Sequence, residues 1–335
     1  MADREGAGSS KQYRDKAEEL IRIDENEINE DYGQRVGKVF HDADFIVNAD
    51  SLKPDVPAQV SRFCALLFGS NSISPNKLEY SMFMAKAAAL RTLDLSRQVG
   101  AAIFSPTSEI ISLGSNEVPK ATGGTYWCDE EFDDREFQRG IDSNDKRKSE
   151  LALEIVKLVQ PKATISDIQN NEKIQDSQFM DALEYGRIVH AEMSALSDAA
   201  RCGRITKDAT MYVTTFPCHM CAKHIVASGI SKVVFLEPYP KSLAETLHAD
   251  SIEVEGNERG KYSKFPSVKF EHFYGVTPRR YRELFEGGSR KRGGKFQPYK
   301  NAQTPTVKID ILYPFYSEFE AQVLAIYDKL IRNLK

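Results

Sequence analysis

The sequence predicts an α/β protein, a three-layer α/β/α sandwich built on a five-stranded mixed sheet. Short β-branched runs begin near residues 99, 109, 210, 232 and 268, each bounded by turn-forming residues. Helical patterns begin near 77, 190, 218 and 242, so helices are interspersed with strands and have two sheet faces to cover. The 335 residues, 41% of them hydrophobic, suffice for one large domain or two small ones with a full core.

Residues 1–16 are polar, with Gly and Ser near the start, and read as a disordered leader. Residues 17–48 alternate charges on a helical period and end in Ala43-Asp44-Phe45-Ile46-Val47, which reads as one or two helices and a strand. Pro54 and Pro57 interrupt the chain before a short helix at 60–68, closed by Gly69-Ser70-Asn71. A long helix is expected over 77–98, with Met82, Ala85, Ala89 and Leu93 as its apolar positions. Strands at 99–104 and 109–113 form a hairpin about Ser105-Pro106-Thr107-Ser108. Residues 120–185 form a loop-rich insertion with Trp127, the only tryptophan, and one apolar helix at 150–159. Such an insertion covers or shapes a site. Beyond residue 221 come a strand at 232–236, a short helix at 242–248 and a strand at 268–273. From Thr277 a basic extension carries Arg279, Arg280, Arg282, Arg290, Lys291, Arg292 and Lys295 among aromatics, and an amphipathic helix at 316–334 closes the chain.

Composition removes several function classes. A net charge of -4 gives no global attraction for nucleic acid, so a polyanion needs a local basic patch. No run approaches about 20 apolar residues, and the first ten lack a signal-peptide core, so a cytoplasmic protein without membrane contact is expected. Five cysteines in this length make no disulfide framework, and Cys202 reads as a buried small residue. No Gly-x-x-x-x-Gly-Lys-Ser/Thr loop is present to cradle nucleotide phosphates.

The chemistry concentrates between His190 and Cys221. His190-Ala191-Glu192 opens a helical run, and Thr214-Thr215-Phe216-Pro217-Cys218-His219-Met220-Cys221 follows a short strand. One histidine and two cysteines supply three zinc ligands and leave the fourth tetrahedral position for water, the arrangement of a catalytic site. Cys218 and Cys221 are three apart, so a helix begun after Pro217 places both sulfurs on one face, at the positive end of its dipole. Glu192 stands beside the open position as general acid and base. A closed structural site would need a fourth protein ligand, and Cys64, Cys128 and Cys202 have no partner at metal spacing. His219 and His224 read as packing or supporting residues. H-x-E followed by P-C-x-x-C is the signature of zinc deaminases acting on nucleobases.

These residues, with Ser96-Arg97-Gln98-Val99-Gly100-Ala101 and Gly114-Ser115-Asn116, resemble the deoxycytidylate deaminase branch of the cytidine deaminase superfamily. Gly123-Gly124-Thr125-Tyr126-Trp127, Glu184-Tyr185-Gly186-Arg187, Glu237-Pro238-Tyr239-Pro240 and Gly275-Val276-Thr277-Pro278-Arg279-Arg280-Tyr281 are similar to bacterial antiphage dCTP/dCMP deaminases. The resemblance implies a cytidine-deaminase-like fold, one catalytic zinc per chain, and deamination of free dCTP or dCMP at C4 to a deoxyuridine nucleotide and ammonia. It further implies depletion of dCTP in antiphage defence, a homo-oligomer such as a hexamer, and in some members silencing by a small inhibitory RNA. Residues 17–70 resemble the end of a P-loop kinase-like domain whose nucleotide loop is missing, which leaves 71–335 as the deaminase domain. Carried over, Asn116 contacts the sugar hydroxyl, Tyr239 lies near the base and Arg97 meets the phosphates. Because arginine forks suit phosphate, Arg279 and Arg280 in the basic extension offer a phosphate or effector site.

Plainer roles stay open for these residues. Asn116 suits a turn after a strand, Arg97 the C-terminal end of a helix dipole, Tyr239 a packed loop, and the basic extension a solvated face. Two rival functions also remain: deamination of a base within RNA or single-stranded DNA, and a non-catalytic nucleotide- or RNA-binding module with structural zinc.

Overall fold

The computed structural model describes residues 40–49, 55–299, 307–309 and 316–333, together with Ile23. The expected leader, and most of the 17–48 block, lie outside the described residues. The chain divides into two compact units, one of residues up to 54 with 75–281, the other of 55–74 with 282–335.

The larger unit carries a mixed sheet of six strands: β1 (Gly100–Phe104), β2 (Ile110–Ser115), β3 (Thr210–Thr215), β4 (Lys232–Glu237), β5 (Ile252–Val254) and β6 (Val268–His272). Their order is β2-β1-β3-β4-β6-β5. β1 is antiparallel to both β2 and β3, and the remaining pairs are parallel. The sixth strand corrects the expected five. β5 is three residues with Glu253 at its centre, too short to show a period, and pairing with β6 defines it.

The three layers follow from alternation along β1. Ala101 and Ile103 share a core with Ala191 and Ala195 of α3 (Ala191–Arg201), and with Ala222 and Ile225 of α4 (His219–Ala227). Ala102 and Phe104 face the other way, onto Met82 and Ala85 of α1 (Lys77–Ala89). α2 (Ser143–Lys157) belongs to the insertion, and α5 (Ala244–Leu247) adds Ala244 to the α3 and α4 layer. Two glycines let helices touch the sheet directly. A Cβ on Gly100 would overlap the Ala85 carbonyl of α1, and one on Gly114 would overlap the Ala191 carbonyl and Ala195 amide of α3.

Helix boundaries depart from the periodic reading where side chains compete with the helical backbone. α1 stops at Ala89 instead of 98. Beyond it, Asp94 accepts from the Ser96 amide and the Thr92 hydroxyl donates to the Asn116 carbonyl, so this stretch is held as a loop. Arg97 is therefore not at a helix terminus. α2 begins at 143 rather than 150, because Asp142 caps it by accepting from the Asp145 amide at 2.8 Å. The aperiodic stretch before 181 holds three short pieces, Ile165–Gln169, Glu172–Gln175 and Gln178–Asp181.

In the smaller unit, helix Val56–Leu67 starts with Pro57 in its first turn and buries Leu66. Helix Tyr316–Asn333 is amphipathic, as its sequence requires, and leaves Phe319, Val323, Ile326 and Tyr327 exposed. Lys291 and Arg292 pair with Lys295 and Phe296 in a short exposed hairpin. Among the described residues no helix is long and apolar enough to cross a membrane.

Candidate active site

One end of β1, β2 and β3 gathers the site. Val99 precedes β1, Asn116 follows β2, and Thr215 ends β3. Because β1 runs antiparallel to its two neighbours, all three positions fall at the same end.

His190 and Cys218 are the residues from which α3 and α4 start, both in extended backbone conformation. Neither side chain caps its own helix. Cys221 lies one turn into α4, as the spacing predicts. His190 Nδ1 is 3.4 Å from Cys218 Sγ and 3.4 Å from Cys221 Sγ. Tetrahedral zinc, with bonds of about 2.3 Å to sulfur and 2.0–2.1 Å to nitrogen, sets that separation at about 3.6 Å, so the triangle fits the ion. It is the only such cluster among the described residues, and no fourth protein ligand belongs to it. Cys64, Cys128 and Cys202 are all exposed. For Cys202 this overturns the buried reading: it is the residue just past the last turn of α3.

Protons are unevenly shared among the three. A hydrogen bond from Cys221, opposed by burial and reinforced by His190, lowers Cys218 to about 4, while Cys221 itself is pushed up. His190 rises to about 9, chiefly through its bond to Cys218. Zinc entry must release whatever protons these three ligands hold. Glu192 is 4% exposed, and burial raises its carboxyl against the pull of His190.

A cavity of about 280 Å³ lies over this centre, lined by His190, Glu192 and Cys218 together with Asn116, Arg97 and Tyr239. Asn116 is buried, and its amide is engaged within the protein. Oδ1 accepts from the Val99 amide at 2.7 Å, while Nδ2 donates to the Arg97 carbonyl at 2.8 Å and to Asp94. The Arg97 guanidinium is exposed and lies 5.6 Å from the half-buried Tyr239 ring. Arg279 and Arg280 are not among the residues lining this cavity; they form ion pairs with Asp42 at 3.1 Å and Asp44 at 2.6 Å. His219 is half-buried and His224 is exposed on α4.

The insertion supplies residues that sequence reasoning did not single out. Glu136, Asp142, Asp145 and Lys148 line the cavity, joined by Arg187, which follows the insertion and belongs to a motif quoted above. Behind them Glu117, 1% exposed, pairs with Arg135, 3% exposed, at 3.5 Å. The Glu117 carboxylate also accepts from the Leu93 and Val118 amides at 3.0 and 2.9 Å. Its backbone bridges Val189, next to His190. One residue thus joins the Arg97 loop, the insertion and the metal segment. No spacing rule marks it, since its partners are distant in sequence.

Residues 75–237 match the model of the cytidine and deoxycytidylate deaminase zinc-binding region. Cytosine deaminase of Candida albicans is 35% identical over 109 residues, which is 32% of this chain and 67% of the relative. The chain belongs to the cytidine and deoxycytidylate deaminase family. The zinc-binding region of that family takes in His190, Glu192, Cys218 and Cys221. Deoxycytidylate deaminase of Enterobacteria phage T2 is 52% identical over 54 residues, 16% of this chain and 29% of the phage protein, so the match spans under a third of that relative. Among solved structures, dCMP deaminase of cyanophage S-TIM5 aligns over 60% of this chain and 99% of its own, at 15% identity and a TM-score of 0.33.

Proposed function

We propose that the protein hydrolytically deaminates a free deoxycytidine nucleotide, dCMP or dCTP, to the deoxyuridine nucleotide and ammonia. The observation that carries this reading is the buried Glu192 carboxyl in one cavity with His190 and Cys218 of the metal-binding triangle that Cys221 completes. Zinc held there would supply Lewis acidity, lowering the pKa of water toward neutrality.

The protein's own groups do the rest. Glu192, kept protonatable by burial, takes a proton from the water that adds to C4 and gives it to N3, then carries the proton of the new C4 hydroxyl to the departing amine. Ammonia leaves and the C4 carbonyl remains. Tyr239 bounds the base, the Asn116 loop meets the sugar, and Arg97 meets the phosphate nearest the sugar. Phe216, which also lines the cavity, packs edge-on against Phe235 with ring centroids 4.9 Å apart and helps exclude water.

Ammonia release by the zinc-loaded protein, given dCMP, dCTP, CMP, cytidine and a cytosine-containing oligonucleotide in parallel, tests the reading. Turnover of dCMP or dCTP alone is expected. Preference for the oligonucleotide would favour a nucleic-acid deaminase, and no turnover with one zinc per chain would sink the catalytic reading.

The sequence resemblance alone supports the finer proposals: the antiphage branch and dCTP depletion, a cytoplasmic location, a homo-oligomer, a small inhibitory RNA, and 17–70 as the end of a kinase-like domain. Light scattering and RNA co-purification from infected and uninfected cells address the oligomer and the RNA.

A further inference from the structure

The insertion side of the catalytic cavity is poorly suited to a polyphosphate. Lys148 is engaged by Asp145 at 2.8 Å and by the Met180 carbonyl at 2.5 Å. Arg187 is shared between Asp134 at 3.1 Å and Glu136 at 3.6 Å. Asp142 adds another carboxylate to this wall. A chain of phosphates laid here would meet acids whose matching cations are already neutralised.

Arg97 differs from these two. It makes no ion pair among the described residues, and it lines a second cavity of about 700 Å³ as well as the catalytic one. In that second cavity Arg279 is paired with Asp42, and His41 with Glu237 at 2.8 Å. Lys86, on the last turn of α1, also lines it and makes no ion pair among the described residues. Two cations with no acidic partner among the described residues therefore share one cavity, and one of them borders the catalytic cavity too.

We infer that Lys86 is a specificity-determining residue: the outer phosphates of a deoxycytidine triphosphate pass Arg97 into the second cavity, where Lys86 holds them. This rests on the proposal that the substrate is a free deoxycytidine nucleotide. The two cations suit different tasks. The Arg97 fork grips a single phosphate in a fixed orientation, whereas a lysine ammonium is a compact point charge that can follow a flexible chain. A monophosphate ends at Arg97 and never reaches Lys86.

The test uses the full-length, zinc-loaded E192Q enzyme, so that nucleotide binds without turning over. Calorimetry with dCMP and dCTP is run with and without K86M, which keeps the aliphatic stem, and with K86R, which keeps the charge. The affinity ratio of dCTP to dCMP is expected to fall about tenfold or more in K86M and to recover in K86R. Inorganic tripolyphosphate is expected to compete with dCTP only where residue 86 is cationic. An unchanged ratio, dCTP binding no tighter than dCMP in the parent, or failure of K86R to recover the ratio would each overturn the inference. Failure of the wild-type enzyme to turn over any deoxycytidine nucleotide would instead overturn the proposed activity, and the binding ratios would still decide the role of Lys86.

Discussion

The metal-bearing end of the sheet and the insertion that walls the cavity are held by different means. His190 and Cys218 are fixed by the starts of two helices whose buried alanines and Ile225 pack against β1 and β3. The insertion is tied to the same cavity by polar links: Glu117 to Arg135, Arg187 to Asp134 and Glu136, and Arg91 stacked 3.6 Å over Trp127. The first arrangement is apolar, with β1 and its helix partners some ninety residues or more apart in sequence, whereas the second is largely ionic and links residues closer along the chain. Chemistry should therefore depend on the first region, and substrate fit on the second.

The largest expected effect lies at Glu192. E192Q should lower kcat by about 10²–10⁴-fold with zinc content and melting temperature retained, as metal analysis and calorimetry would check. Retained turnover would place the proton shuttle elsewhere. C221S should reduce bound zinc well below one per chain and abolish turnover, since removing one thiolate leaves only His190 and Cys218. A C221S protein that still held stoichiometric zinc would mean that another ligand completes the site.

Smaller effects should separate the insertion from the centre. E117Q removes the charge facing Arg135, which keeps its bonds to Asp133, so a stability loss of about 1–3 kcal/mol is expected. Its KM should rise more than its kcat falls, with zinc unchanged; an equal fall in kcat would merge the two regions into one functional unit. W127A should be the mildest, about 0.5–1 kcal/mol from the lost contact with Arg91, read as a small shift in melting temperature.

The same division explains what the sequence made legible. The ligand set and Glu192 depend on short spacings, three residues from Cys218 to Cys221 and two from His190 to Glu192, which helix geometry converts directly into position. The hairpin and the parallel strands were legible from β-branched runs and turns. β5 was not, because Ile252 and Val254 around one glutamate carry too little pattern, and their pairing comes from β6. The early end of α1 was missed because it depends on contacts between the Thr92–Asp94 loop and Asn116 across the fold. Glu117, Arg135 and Lys148 read as ordinary surface charges until the fold buries them.

Gly100 and Gly114 press α1 and α3 onto bare backbone on opposite faces of neighbouring strands. Packing of that kind excludes solvent from the helix amides facing the sheet, whereas the insertion offers exposed segments such as residues 158–162 to a protease. Brief digestion should nick the insertion first and leave a trimmed core in which the sheet-facing amides of α3 beyond its first turn remain among the slowest regions to exchange their protons. The nucleotide-fitting wall would then come off a metal centre that outlasts it.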